Sequence, residues 1–129
     1  MKQYAGVITL TSPYTVKETI DRLEQSLIAK GVSVFARIDQ QAEAEKAGLK
    51  MSPMELLIFG NPIAGTPLML TEPVSGIDLP LKVLAWQDNE GKAWLSYNSF
   101  SYIRERFSLP DELIKPLSMA EGLIKAAVL

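Results

Sequence analysis

The segment GNPIAGTP, residues 60–67, gathers the groups of this chain that are best placed to hold a ligand. Asn61 and Thr66 supply an amide and a hydroxyl, and each stands directly before a proline, the pattern of a capped helix start. Gly60 and Gly65 permit backbone angles that other residues resist. A loop of that kind, with free N–H groups at the start of a helix, can receive an anion or a carboxylate. A ligand-binding expectation therefore falls on Asn61, Gly65 and Thr66, with a small anionic ligand. The plainer and better-supported reading of the same residues is that they are caps which satisfy their own helix ends. No lysine follows the glycines, so a phosphate loop of the nucleotide-triphosphatase type has almost no support.

A second candidate is apolar. Trp86 and Trp94, with Leu84, fall on one side of a hairpin and would leave a large apolar patch unless something covers it. A second subunit is the simplest cover; a short helix over residues 102–107 of the same chain is the other. The third candidate is a set of carboxylates, Asp39, Glu55, Glu72 and Asp78, which lie beside strands or the glycine segment. Acid–base work needs two of them within about one water of each other, and no spacing brings two to one face. Asp39 reads as a helix cap, and Glu55 and Glu72 as solvated. No catalytic residue is assigned. An enzyme using carboxylates and backbone donors near the glycine segment is the alternative to a binding or interaction module.

Composition narrows the chemistry. The 129 residues contain neither histidine nor cysteine, which removes thiolate nucleophiles, imidazole bases, disulfides and the usual zinc ligand sets. Any metal would be a hard, oxygen-ligated one; none is indicated, and neither is a cofactor. With 13 basic against 15 acidic residues there is no overall basic signature for nucleic acid, and Arg104 with Arg106 is too slight a patch to supply one. Lys50 and Lys82 read as surface charges. No run approaches the roughly 18 apolar residues of a membrane span, and the first ten residues lack a secretory core. The expectation is a cytoplasmic protein with neither membrane nor nucleic-acid partners.

The elements that must position these groups can be read in order. Residues 4–10 form a first strand, stopped near Pro13. Thr15 and Glu18 make a capping box for a long helix whose apolar face is Val16, Ile20, Leu23 and Leu27, ending at Lys30 and Gly31. Residues 32–38 alternate as a strand, with Val32, Val34, Ala36 and Ile38 on one face. The two strands flanking one helix suggest a split arrangement that admits a third strand between them. Asp39 caps a short helix to about Ala47. Residues 56–59, apolar at every step, read as a central strand of a sheet covered on both sides. Thr66 with Pro67 then starts a brief helix, which leaves residues 61–65 as a tight loop.

Residues 81–86 and 92–97 form a hairpin. A three-residue loop of Asn89, Glu90 and Gly91 sets Asp88 opposite Lys92 and Trp86 opposite Trp94. Leu81, Val83, Ala85, Ala93, Leu95 and Tyr97 then share the other face. Asn98 or Ser99 caps a helix over 102–107, Pro116 interrupts a turn over 111–117, and Ser118 with Glu121 makes a second capping box for a final helix over 118–128. The sum is a single α+β layer domain over 1–129, with about five strands in a mixed sheet containing an antiparallel hairpin, a long N-terminal helix and a C-terminal helix.

The segments FARID, ELLIFGNPIAGTPLM, DLPLKVLAWQD and GKAWLSYN, in that order, resemble the domain of unknown function 302 family, from about Thr15 to about Leu117. The resemblance implies a compact α+β domain, found alone or fused to other modules, and a homodimer. It brings no assigned reaction and hence no catalytic residues. The family often has histidine where Gln40 stands and lysine where Ile63 stands, so no chemistry is carried to those two positions.

Overall fold

The computed structural model describes residues 2–129. Five strands, β1 (Val7–Ser12), β2 (Ser33–Asp39), β3 (Met54–Gly60), β4 (Leu81–Gln87) and β5 (Ala93–Asn98), make one sheet in the order β1-β5-β4-β3-β2. Six helices accompany them: α1 (Val16–Ala29), α2 (Gln40–Lys46), α3 (Pro62–Thr71), α4 (Phe100–Arg106), α5 (Asp111–Ile114) and α6 (Ser118–Ala126). The split arrangement around α1 goes further than one inserted strand, since β1 and β2 form the two edges and the other three strands lie between them. Neighbouring strands of the expected mixed sheet are therefore antiparallel at every pairing.

Helix α1 forms for the reasons its sequence gives. Thr15 Oγ1 accepts from the Glu18 N–H, and Glu18 Oε1 accepts from the Thr15 N–H, each at 3.1 Å. Ile20, Leu23 and Leu27 are fully buried, each such side chain contributing about 1.5–3 kcal/mol. The hairpin also takes its expected register: Trp86 pairs with Trp94, the Asp88 N–H donates to the Lys92 carbonyl, and Gly91 sits at φ +82°. All six residues assigned to the inner face of that hairpin are buried.

Four expectations are corrected. The first strand begins at Val7 rather than Tyr4, because Gly6 at φ +77° turns the chain and pairing with β5 continues to Ser12 opposite Ala93. In β2 the alternation breaks. A bulge between Val34 and Ala36 sets Val34 toward the core opposite Phe59 and turns Ala36 and Ile38 to the other face, opposite Ile58 and Leu56. Helix α3 starts at Pro62, and Pro67 lies inside it. Asn61 supplies the cap and Pro62 the first helical residue; the helix is short and exposed, so the bond that Pro67 cannot donate to Ile63 is lost at its solvated edge. The second capping box does not form. Ser118 already has helical angles, since α5, a 3-10 turn and α6 run on without a break, and its hydroxyl donates back to the Lys115 carbonyl at 2.6 Å. Glu121 accepts instead from the Tyr97 hydroxyl at 2.8 Å.

The sheet is covered on one side only, which overturns the two-sided expectation. Leu57, Phe59, Val83 and Leu95 are fully buried beneath α1, with Ile103 of α4 and Ile124 of α6 in the same core. On the opposite face no described residue of any strand is buried. Leu56 and Ile58 belong to that face, so β3 is interior to the sheet yet only half covered.

Candidate functional site

Three places in the molecule gather the residues singled out above. Asn61, Gly65 and Thr66 do come together. They line a cavity of about 140 Å³ at the end of the sheet, whose other walls include Phe35, Gly60, Met69, Leu79, Pro80 and Leu117. The lining holds no titratable side chain. The donors at the start of α3 are already engaged: Asn61 Oδ1 accepts from the Ile63 N–H at 3.0 Å, and the Asn61 carbonyl accepts from the N–H groups of Ala64 and Gly65 at 2.9 Å each. Pro62 has no N–H to offer. Thr66 is exposed within the helix instead of capping it. What this place offers chemically is shape and mostly apolar surface, with the Asn61 amide nitrogen and the Thr66 hydroxyl as its side-chain donors.

The second place is the open face of the sheet. The rings of Trp86 and Trp94 stack with centroids 6.1 Å apart and planes 22° apart. Their polar edges are satisfied within the chain. Trp86 Nε1 donates to Ser96 Oγ at 2.9 Å, Ser96 Oγ bonds Thr9 Oγ1 at 2.9 Å, and Trp94 Nε1 donates to Asp88 Oδ2 at 2.8 Å. The indole hydrogen bond, followed by the Lys92 backbone N–H, holds the Asp88 carboxyl below its ordinary range. Leu84, Leu56, Ile58 and Ile38 continue the apolar surface across β4, β3 and β2. The helix near residues 102–107 does not cover the tryptophans: α4 turns Phe100 and Ile103 into the core, where Phe100 meets Tyr97 edge to face.

The third place is one that sequence reasoning missed. Arg37, on the core side of β2, bonds Glu55 at 2.7 Å and Asp21 at 2.7 Å and reaches Glu24 at 3.2 Å. Glu55, expected in solvent, is buried, because its register opposite Ala85 turns it toward the core. Burial alone would lower the Arg37 pKa, but the hydrogen bonds to Glu55 and Asp21 outweigh it and hold the guanidinium firmly charged. Hydrogen bonds from Lys17 and then Arg37 hold the Asp21 carboxyl low. The cluster is an ion network of two cations, Lys17 and Arg37, with three carboxylates, whose oxygens turn to those cations and not to an open site. Asp39 caps α2 as expected, accepting from the Ala42 N–H at 2.9 Å, while Asp78 is buried beside Arg106 at 3.0 Å and Glu72 is exposed. The signal for the Arg37 cluster was present as an arginine on a half-buried strand and two acids three residues apart on α1.

The family described as Domain of unknown function DUF302 matches residues 8–127. The chain belongs to this family. The same fold is seen in the crystal structure of an uncharacterized conserved DUF302 protein from Bacillus stearothermophilus, with a TM-score of 0.77, 97% of each chain covered and 22% identity. Two relatives, each named fluoride-specific ion channel FluC 1, come from Brucella suis biovar 1 and Brucella abortus biovar 1. Both are 41% identical over 123 residues, which is 93% of this chain but 48% and 46% of the relatives. This DUF302 domain thus spans about half the length of the curated relatives it matches. Among its described residues no helix is long and apolar enough to cross a membrane.

Proposed function

We propose that this DUF302 domain is a self-associating interaction module, in which the open sheet face packs on the same face of a second copy. The observation that supports the reading is a half-buried apolar strip on that face, formed by Trp86, Trp94, Leu84, Leu56 and Ile58, that no helix covers; Lys82, Thr11 and Asn98 lie on the same face. Burying the strip strands neither indole N–H, which lowers the desolvation penalty there, whereas Lys82 and Thr11 on the same face have to keep their polar ends in water. The large rigid rings of Trp86 and Trp94 are the kind of anchor that dominates binding energy. Five strands of about six residues make a face of roughly 500 Å² in flat projection, of which the apolar strip is a part.

In the Brucella relatives the matching stretch is about half of a protein named an ion channel. We read that half as an assembly element and place the conducting element in the remainder, since no described helix here has the length and apolarity of a span. Pairing of two copies would then bring two of the attached halves together. The test is the double substitution of Trp86→Lys and Trp94→Lys, with Leu84→Glu as a separate variant, followed by mass in solution. The reading expects a monomer with unchanged helix and strand content by circular dichroism. A mass that stays the same in both variants removes this face from the interface.

A further inference from the structure

The cavity beside α3 supports an inference that stands apart from the pairing of the sheet face. We propose that it binds a compact, uncharged apolar molecule about the size of one six-membered ring, and that it selects against the corresponding anion. Its volume of about 140 Å³ is close to the roughly 150 Å³ of an engineered apolar protein cavity that stays dry and takes benzene. Leu79, Leu81 and Leu117, each less than one-tenth exposed, supply buried apolar wall. Phe35 and Met69, 54% and 37% exposed, supply an aromatic face and a pliable thioether with apolar surface still in water. A guest between them removes that surface from solvent on both sides.

Charge points the same way. Residues 56–71 contain no ionisable side chain, and the N–H groups at the start of α3 are held by Asn61 itself. An anion seated against the apolar walls would lose part of its water and meet no counter-charge, with only the Asn61 amide and the Thr66 hydroxyl as polar partners. Glycine at position 65 fits the reading as well. Its backbone is not left-handed, and a methyl group added there meets nothing within 4 Å, so neither a turn nor close packing calls for glycine. In a helix interior it is less stable than alanine. Gly65 lines the cavity, and the space beside it is open. At Gly60 an added methyl would stand 3.5 Å from Pro80 and 3.6 Å from Phe35, in ordinary contact with both, so alanine fits there and narrows the space.

The experiment uses the full chain with toluene and benzoate, the same ring without and with a charge. Methyl signals of Met69, Leu79, Leu81 and Leu117 are followed by proton–carbon nuclear magnetic resonance. Toluene is expected to shift them saturably, and benzoate to bind more weakly by about tenfold or more, the scale of a buried, unpaired charge. Gly60→Ala and Gly65→Ala are expected to weaken toluene about tenfold by taking up part of the space a guest would fill, while Gly65→Ala leaves the melting temperature unchanged or higher. Four results would overturn the proposal: no saturable shift at those methyls up to the solubility of toluene, benzoate binding tighter than toluene, affinity unaltered in both variants, or shifts confined to Ile58 and Leu84 on the sheet face. None of these bears on solution mass, so pairing and ligand binding fail separately.

Discussion

Replacing Arg37 with methionine removes the one positive group that three carboxylates share, and the structure sets the size of the effect. The side chains of Asp21 and Glu24 are 34% and 28% exposed, while that of Glu55 is 11% exposed and that of Arg37 is 23% exposed. Exposed pairs contribute at most about 1 kcal/mol, whereas stripping the partner from a buried charge costs about 3–5 kcal/mol. Glu55 falls near the second case and the helix acids near the first, so Arg37→Met is expected to lose about 3 kcal/mol. At the usual unfolding entropy per residue that lowers Tm by roughly 10 °C. Urea denaturation of the single variant and of Arg37→Met with Glu55→Leu is the assay. The pair should regain at least half of the loss, because an apolar pair of similar volume can replace a buried ion pair without penalty. The pH dependence carries its own sign. Asp21 has a lowered carboxyl, so its contribution is complete above the unfolded value near about 3.9 and is lost as pH falls through the folded value. The deficit of Arg37→Met should therefore narrow below about pH 4. A loss under about 1 kcal/mol, or no rescue in the pair, would refute the view that Glu55 depends on Arg37.

Two further outcomes follow from single contacts. Asp88 accepts from the Trp94 indole and from the backbone N–H groups of Glu90 and Lys92, and its carboxyl is held low. Its support of the hairpin is present above the ordinary carboxylate range and disappears as pH falls through the lowered folded value, so tryptophan fluorescence should change in that acid window, and Asp88→Asn should abolish that transition. Gly6 has φ +77°, and an added methyl would lie 2.3 Å from the Tyr102 ring. Gly6→Ala should thus destabilise by about 1–3 kcal/mol in denaturant titration, through backbone strain as well as the clash, and a neutral result would contradict both.

The parts of the fold that were legible in the sequence are those settled by local chemistry. The capping box at Thr15, the cap at Asp39, a cap at Ser99, one of the two residues offered for it, and the glycine in the β4–β5 turn each act within four residues, and all are found in place. What misled was information that lies in partners distant along the chain. The bulge at Phe35 depends on its pairing with β3, and without it the alternation of β2 assigned Ala36 and Ile38 to the same face as Val34. A strand apolar at every step, residues 56–59, implied cover on both sides, yet half of that apolar surface faces outward. Ser118 and Glu121 had the spacing of a cap, but the preceding turn was already helical and Tyr97 claimed the carboxylate. The candidate site divides along the same line. Asn61, Gly65 and Thr66 could be placed together from a short segment, whereas the walls at Phe35, Leu79 and Leu117 come from three other parts of the chain.

The central claim is that the open sheet face meets a second copy, and the most direct measurement is sedimentation equilibrium of the unmodified chain over a wide range of concentration. The account predicts twice the chain mass at high concentration, falling toward the monomer on dilution with a parallel rise in quenching of Trp86 and Trp94 by acrylamide. A monomer mass at every concentration, with the tryptophans equally quenchable throughout, would contradict it.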